Sequence, residues 1–311
     1  MRGRFAPSPT GELHVGNLRT ALVAWLSAHG QRGELVVRME DLDPNTSSVA
    51  HESRQLADLA ALGLIPDGPV VRQSERFDLH RAVVAELTSR DLVYPCYCTR
   101  REIRDAAAAP HGDPMPDGAY PGTCRALTAT ERSQRERDGR PAALRLRTHG
   151  EQVTVVDRVA GSVTGQVDDV VLVRNDGVPA YNLAVVVDDH LQGITEVVRG
   201  DDLLLSTPRQ VHLQRLLGFT TPAYGHVPLV IGADGSRLAK RHGATTLAEL
   251  TARGMAPEAL LALLGASLEL CRPDDHVTVA ALAERFSFEA IPRGPWIFDA
   301  DAAMAAARLP R

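Results

Sequence analysis

The N-terminal stretch fixes the order of elements more firmly than any other part of the chain. Arg2 to Pro7 is short and extended, and the prolines at 7 and 9 prevent it from running straight into a helix. From Gly16 the apolar positions Leu18, Ala21, Leu22, Trp25 and Leu26 recur with helical period, and Gly30 is a suitable stop. Leu35, Val36 and Val37 then form a short apolar strand that runs into the charged cluster Arg38-Met39-Glu40-Asp41. Val49 to Leu62 and Phe77 to Leu87 read as two further helices. Strand, helix, strand, helix predicts an α/β fold with a parallel sheet and helical crossovers.

The pattern changes near Tyr94. Residues 95 to 124 hold three of the four cysteines and five prolines, which fits a small metal-organised insert rather than a regular element. Arg132 to Arg147 carries six arginines and is locally basic. Val153 to Val156, Val170 to Arg174 and Tyr181 to Val187 read as strands, Leu203 to Leu217 as a helix, and His226 to Ile231 as a strand. Ala256 to Leu268 is an Ala/Leu-rich helix, and Asp299 to Arg308 reads as a last short one.

Composition narrows the class. Acidic residues number 39 against 34 basic ones, a formal net charge of −5, which excludes a broadly polycationic nucleic-acid binder but not an enzyme with a local basic face. No apolar signal region opens the chain and no apolar run approaches a membrane span, so a cytoplasmic protein is expected. Of the 34 basic residues 33 are Arg, and Lys240 is the one Lys.

That lone Lys sits in Arg237-Leu238-Ala239-Lys240-Arg241-His242-Gly243, a basic loop preceded by Asp234-Gly235. A solvated hairpin tip is the plain alternative, but a compact ammonium on a flexible stem suits a moving phosphate. At the other end of the chain, the helix that begins near Gly16 offers free backbone N–H groups to an anion. There His14 and Asn17 are placed to donate to phosphate or ribose, and Gly16 would let a flat nucleotide ring approach the backbone.

Together these stretches resemble the HIGH and KMSKS signatures of class I aminoacyl-tRNA synthetases. Arg4-Phe5-Ala6-Pro7-Ser8-Pro9-Thr10-Gly11-Glu12-Leu13-His14-Val15-Gly16-Asn17 is similar to the glutamyl branch in particular, as is Leu-Ala-Lys-Arg-His-Gly. Two departures stand out: Asn17 replaces the last His of the generic pattern, and Ala239 replaces a serine. The resemblance implies a Rossmann-type parallel sheet with a zinc-containing insert and a small C-terminal helical domain. It divides the chain into 1–93 and 179–243 as two halves of the catalytic domain, 94–178 as the insert, and 244–311 as a helical stem-contact-like domain. It implies that Arg4, Phe5, Ala6, Pro7, Ser8, Glu40, Tyr181 and Arg199 bind glutamate. His14, Gly16, Asn17 and Lys240 would bind ATP, with Mg²⁺ on its phosphates, and His14, Asn17 and Lys240 would act in catalysis. The chemistry is consistent, since a guanidinium meets a carboxylate with charge and planar geometry together and pairs poorly with the amide of glutamine.

Cys96, Cys98 and Cys124 suit a structural zinc. A fourth ligand is needed. His111 is the orthodox chemical candidate, whereas Tyr120 lies four residues before Cys124. Cys-x-Cys with Tyr-x-x-x-Cys resembles the zinc site of the short glutamyl-synthetase paralogues that modify tRNA, and that resemblance favours Tyr120. Only 68 residues follow Gly243, enough for a small helical domain and too few for a separate anticodon module. The chain is thereby similar to the glutamyl-Q tRNA(Asp) synthetase family. That likeness implies an ATP-dependent ligase, expected as a monomer, that forms glutamyl-adenylate and passes glutamate to the queuosine base of tRNA(Asp). The alternatives are a truncated synthetase charging the 3′ end of tRNA(Glu), and a non-catalytic amino-acid or adenylate binder.

Overall fold

The computed structural model describes residues 1–107, 119–238 and 245–306. In chain order the elements are β1 (Arg2–Phe5), α1 (Val15–Gly30), β2 (Glu34–Met39), α2 (Val49–Ala61), β3 (Val71–Arg72), α3 (Phe77–Ser89) and β4 (Val93–Cys96). There follow α4 (Arg100–Ala107), α5 (Ala129–Arg137), β5 (Ala143–Leu146), β6 (Gln152–Asp157), β7 (Gly161–Gln166), β8 (Val171–Val173), α6 (Tyr181–Leu191) and β9 (Glu196–Gly200). The last are α7 (Thr207–Leu217), β10 (Ala223–Val227), β11 (Val230–Ile231), α8 (Leu247–Ala252), α9 (Pro257–Ala266), α10 (Val279–Ala283), β12 (Trp296–Ile297) and α11 (Ala300–Ala306).

Seven strands form the main sheet in the order β3-β2-β1-β9-β10-β6-β7. All neighbours run parallel except β7, which turns back antiparallel on β6. The predicted parallel α/β architecture is therefore present. From β1 the chain moves to β2 on one side, while β9 leads to β10 on the other. Such a reversal of strand order opens a crevice at the carboxyl ends of the strands between them.

Helix α1 lies over this point. Its Val15, Leu18, Leu22 and Leu26 are buried, and so are residues on its other faces, because it is sandwiched between the sheet and the C-terminal helices. Leu260, Leu264, Leu268, Leu282 and Phe288 share one core with it. The described part of the C-terminal segment, residues 245–306, expected with 244–311 as a domain of its own, thus shares the core of the catalytic half. At Gly30 a Cβ would lie 3.1 Å from the Ala283 carbonyl oxygen, so the close approach of α10 leaves little room for a larger residue.

A second, three-stranded antiparallel sheet, β4-β5-β8, carries the cysteine-bearing segment. Residues 94–178 do not all belong to it: β6 and β7 hydrogen-bond into the main sheet. The run Tyr181 to Val187, read from sequence as a strand, is the first part of helix α6. Leu183 to Asp189 are all buried there, and a helix buried on every side shows no polar stripe by which periodicity could reveal it. His226 to Ile231 is likewise two short strands, β10 and β11, rather than one. Among the described residues no helix is long and apolar enough to cross a membrane.

Candidate active site

The crevice at the strand ends is a cleft of about 710 Å³. It brings together Arg4, Phe5, Ala6, Pro7, Ser8, His14, Gly16, Asn17, Glu40, Tyr181 and Arg199, which stand up to 195 positions apart in the sequence. Lys240 lies outside the described residues. Of its described flanks, Leu238 lines the cleft, and the Thr245 carbonyl accepts the Val15 N–H at the start of α1 at 2.8 Å.

Backbone bonds hold the proline loop open. Glu40 N–H donates to the Pro7 carbonyl at 2.9 Å, and Ser48 N–H to that of Pro9 at 2.9 Å. The buried amide of Gln55, from α2, donates to the Ser8 carbonyl at 3.0 Å and to that of Gly11 at 2.7 Å. The loop therefore rests on α2 instead of collapsing into the crevice.

His14 and Asn17 cap α1 reciprocally. His14 Nδ1 accepts the Asn17 backbone N–H at 3.2 Å, and Asn17 Oδ1 accepts that of His14 at 3.2 Å. Each bond uses an acceptor. The proton of a neutral His14 is thereby placed on Nε2, and the Asn17 NH₂ is not used by the cap. Burial pushes the His14 pKa down, against the pull of its backbone bond and of Asp202. No acidic residue in the first turn offsets the positive end of the helix. Gly16 has a reason other than the one read from sequence. A Cβ there would fall 2.9 Å from His14 Cε1 and 3.3 Å from Val230 Cβ, so glycine first makes room for the imidazole.

Deeper in the crevice, Arg4 and Arg38 face Glu40 and Asp189, and Arg199 stands beside Tyr181. Arg4 donates to the Val198 carbonyl at 2.8 Å, and its Nε lies 3.6 Å from Asp189. Arg38 binds Asp189 at 2.7 Å and approaches Glu40 at 3.4 Å. Burial lowers the Arg4 pKa, with Asp189 opposing, and burial raises that of Glu40, with Arg38 and Arg4 opposing. Arg38 is held above its ordinary value because Asp189 and Glu40 outweigh the cost of burial. Arg4 and Arg38 are thus balanced by Asp189 and Glu40, whereas Arg199, among the described residues, reaches a carboxylate only through the imidazole of His226, which binds Asp157.

Arg199 Nη1 donates to the Tyr181 hydroxyl at 3.2 Å and to Gln210 Oε1 at 2.8 Å, while Nη2 donates to Thr207 at 2.8 Å and Nε to His226 at 2.9 Å. With one N–H left, Arg199 alone cannot clasp a carboxylate with two bonds unless it gives one of these up; the Tyr181 O–H stands beside it as a second donor.

At the second sheet, the sulfur atoms of Cys96, Cys98 and Cys124 lie within 4.8 Å of one another and could hold a metal ion. The Tyr120 hydroxyl is 3.3 Å from Cys96 Sγ and 3.7 Å from Cys98 Sγ. His111 lies outside the described residues. The guanidinium carbon of Arg145 sits 3.7 Å from the centre of the Tyr120 ring, and burial first, then the bond to Cys96, hold the phenol above its ordinary pKa. Burial pushes the Cys98 thiol up to about 12. Three buried or half-buried sulfurs and a phenol in one cluster form a donor set that fits a four-coordinate metal.

The family model described as tRNA synthetases class I (E and Q), catalytic domain, matches residues 1–301. A glutamyl-Q tRNA(Asp) synthetase of Nocardia farcinica is 55% identical over 296 residues, 95% of this chain and 92% of that one. One from Symbiobacterium thermophilum is 46% identical, covering 94% of each. The chain belongs to the glutamyl-Q tRNA(Asp) synthetase family. A solved glutamate tRNA ligase from Elizabethkingia meningosepticum, in complex with its amino acid, superposes with a TM-score of 0.81 at 27% identity, over 97% of this chain and 68% of that one.

In this glutamyl-Q tRNA(Asp) synthetase family member, sequence reading missed the residues behind the cleft. Asp189, Gln55, Thr207, Gln210, His226 and Asp157 all bond to residues or backbone that line it or to their direct supports. One of them, Asp189, left a signal together with its neighbour Asp188. Asp188 and Asp189 close an apolar run, and a carboxylate buried at such a place needs a cation, supplied here by Arg76 for the first and Arg38 for the second.

Proposed function

We propose that the chain activates glutamate with ATP and transfers it to the queuosine base at the wobble position of tRNA(Asp). The observation that carries this reading is the Arg199 guanidinium, in direct contact with no carboxylate among the described residues and standing beside the Tyr181 hydroxyl, in the same cleft as a helix N-terminus with two spare donors, in a member of this family. The first site fits an acidic amino acid and the second a phosphate chain.

In the first step the α-carboxylate of glutamate attacks the α-phosphorus of ATP and pyrophosphate leaves. No protein nucleophile is required. Arg4, Tyr181 and Arg199 bind the side-chain carboxylate, Glu40 draws the ammonium, and Phe5 to Ser8 form the wall that orients the amino acid. His14 Nε2–H, the Asn17 NH₂ and Lys240 hold the negative charge that spreads over the phosphates of the magnesium complex of ATP. In the second step a hydroxyl of the queuosine cyclopentenediol attacks the activated carbonyl and AMP departs. Cys96, Cys98, Tyr120 and Cys124 would hold a zinc ion that cross-links the second sheet and takes no part in either step. The enzyme would act in the cytoplasm, where its tRNA resides.

The test offers labelled glutamate and ATP with queuosine-containing tRNA(Asp), unmodified tRNA(Asp) and tRNA(Glu). Label on the first alone is expected. Label on tRNA(Glu) alone would instead make the chain a synthetase for the 3′ end, and no glutamate-dependent ATP–pyrophosphate exchange would make it a binding protein.

A further inference from the structure

Arg199 on β9 and His226 on β10 are register partners in the parallel ladder, so their side chains leave the sheet on the same face. Asp157 ends β6, the next strand over, and its carboxylate is fixed by the backbone N–H groups of Val159 at 2.9 Å and Ala160 at 2.8 Å. It also binds His226 Nδ1 at 2.6 Å. A carboxylate can only accept, so the Nδ1 of the imidazole carries the proton and Nε2 presents a lone pair. That lone pair receives Arg199 Nε–H at 2.9 Å. Burial lowers the His226 pKa despite Asp157, which keeps the imidazole in the neutral form this arrangement needs.

We propose that His226 is a positioning residue for amino-acid selection. Oriented by Asp157, it holds Arg199 Nε and so decides which guanidinium N–H is left for a carboxylate-bearing substrate. The proposal rests on the reading of the cleft as a glutamate site. With Nε bound to His226 and Nη1 and Nη2 bound to Gln210 and Thr207, the guanidinium cannot rotate about its stem. The free Nη2–H and the Tyr181 O–H then face the ligand together. A carboxylate accepts from both with its two charged oxygens; the carboxamide of glutamine offers one neutral oxygen and turns its NH₂ toward the other donor. Without the imidazole acceptor the guanidinium would turn, and the difference between acid and amide would shrink.

Two substitutions at this position separate the two bonds of the ring. The amide of His226→Asn reaches Asp157 but is too short for Arg199, whereas the carbonyl of His226→Gln reaches the place of Nε2. In glutamate-dependent ATP–pyrophosphate exchange, His226→Asn is expected to raise the KM for glutamate roughly ten- to a hundredfold, the scale of one lost charge-assisted bond. It should lower the preference for glutamate over glutamine, with the KM for ATP unchanged, and His226→Gln should recover most of the loss. Asp157→Asn is the second variant. Its Oδ1 still accepts from Val159 and Ala160 and takes over the His226 backbone N–H at 3.2 Å, which Asp157 shares between its two oxygens, while its NH₂ forces the imidazole proton onto Nε2, so the same glutamate-specific rise is expected. Equal losses in His226→Asn and His226→Gln, or a fall in kcat at constant KM in Asp157→Asn, would overturn the proposal. Wild-type protein that fails to catalyse exchange defeats the glutamate reading itself; wild-type exchange with an unaltered glutamate KM in the variants defeats only the role of His226.

Discussion

Gly16→Ala sets two effects of similar size against each other. Position 16 is the second residue of α1, where alanine is intrinsically favoured over glycine by up to about 1 kcal/mol. The added Cβ would stand 2.9 Å from His14 Cε1, 3.0 Å from Nδ1 and 3.3 Å from Val230 Cβ. The imidazole is the softest of these neighbours, so it moves, and the reciprocal cap with Asn17 is lost. Loss of a cap costs about 0.5–2 kcal/mol, so net stability should change by less than about 1 kcal/mol. The effect on activity is larger. His14 Nε2–H no longer points at the phosphates, and loss of one such donor lowers a rate by about 10²- to 10³-fold. Exchange measured at saturating glutamate with varied ATP, beside thermal unfolding of the same preparation, reads both quantities. A variant with wild-type exchange and a raised melting temperature would show that the cap does not aim the imidazole.

Asp58, half-buried near Glu12, has its pKa raised to about 6 by burial first and by Glu12 second. A carboxyl whose folded pKa is raised destabilises the fold once ionised, so stability is lost as pH rises from about 4 through 6. Because the group is partly exposed, solvent screening limits the effect to about 1 kcal/mol. Asp58→Asn is therefore expected to stabilise the protein at pH 8 and not below pH 4; denaturant unfolding showing an equal gain at both would contradict it. Cys98→Ser should lower zinc content and loosen the second sheet, read by metal analysis and by proteolysis at residues 94–150. Wild-type protein free of zinc removes that site. Lys240→Arg should impair adenylate formation and spare the melting temperature, because a guanidinium is bulkier and holds the phosphates at another distance. Wild-type exchange in that variant refutes the role given to the lone Lys.

The alternation of Arg2–Phe5, Val15–Gly30 and Glu34–Met39 was legible because β1 and β2 are bounded by turn residues and α1 begins at a cap. Helix α6 was not, since an apolar run buried all round carries no period. The residues proposed to meet glutamate and ATP were legible as short motifs: Arg4 to Asn17 is contiguous, and contiguity survives in a sequence. Glu40, Tyr181 and Arg199 also stood out, each within a short motif of its own.

What the chain alone could not give is who holds these side chains. Asp189 reaches Arg38 across 151 positions, Asp157 reaches His226 across 69, and Gln55 supports the loop at Ser8 from 47 positions away. Sequence determined the donors, because local chemistry and local capping choose residue types. The tertiary structure decided their direction and their remaining free hydrogens. A buried polar group must find partners wherever the sheet order happens to place them.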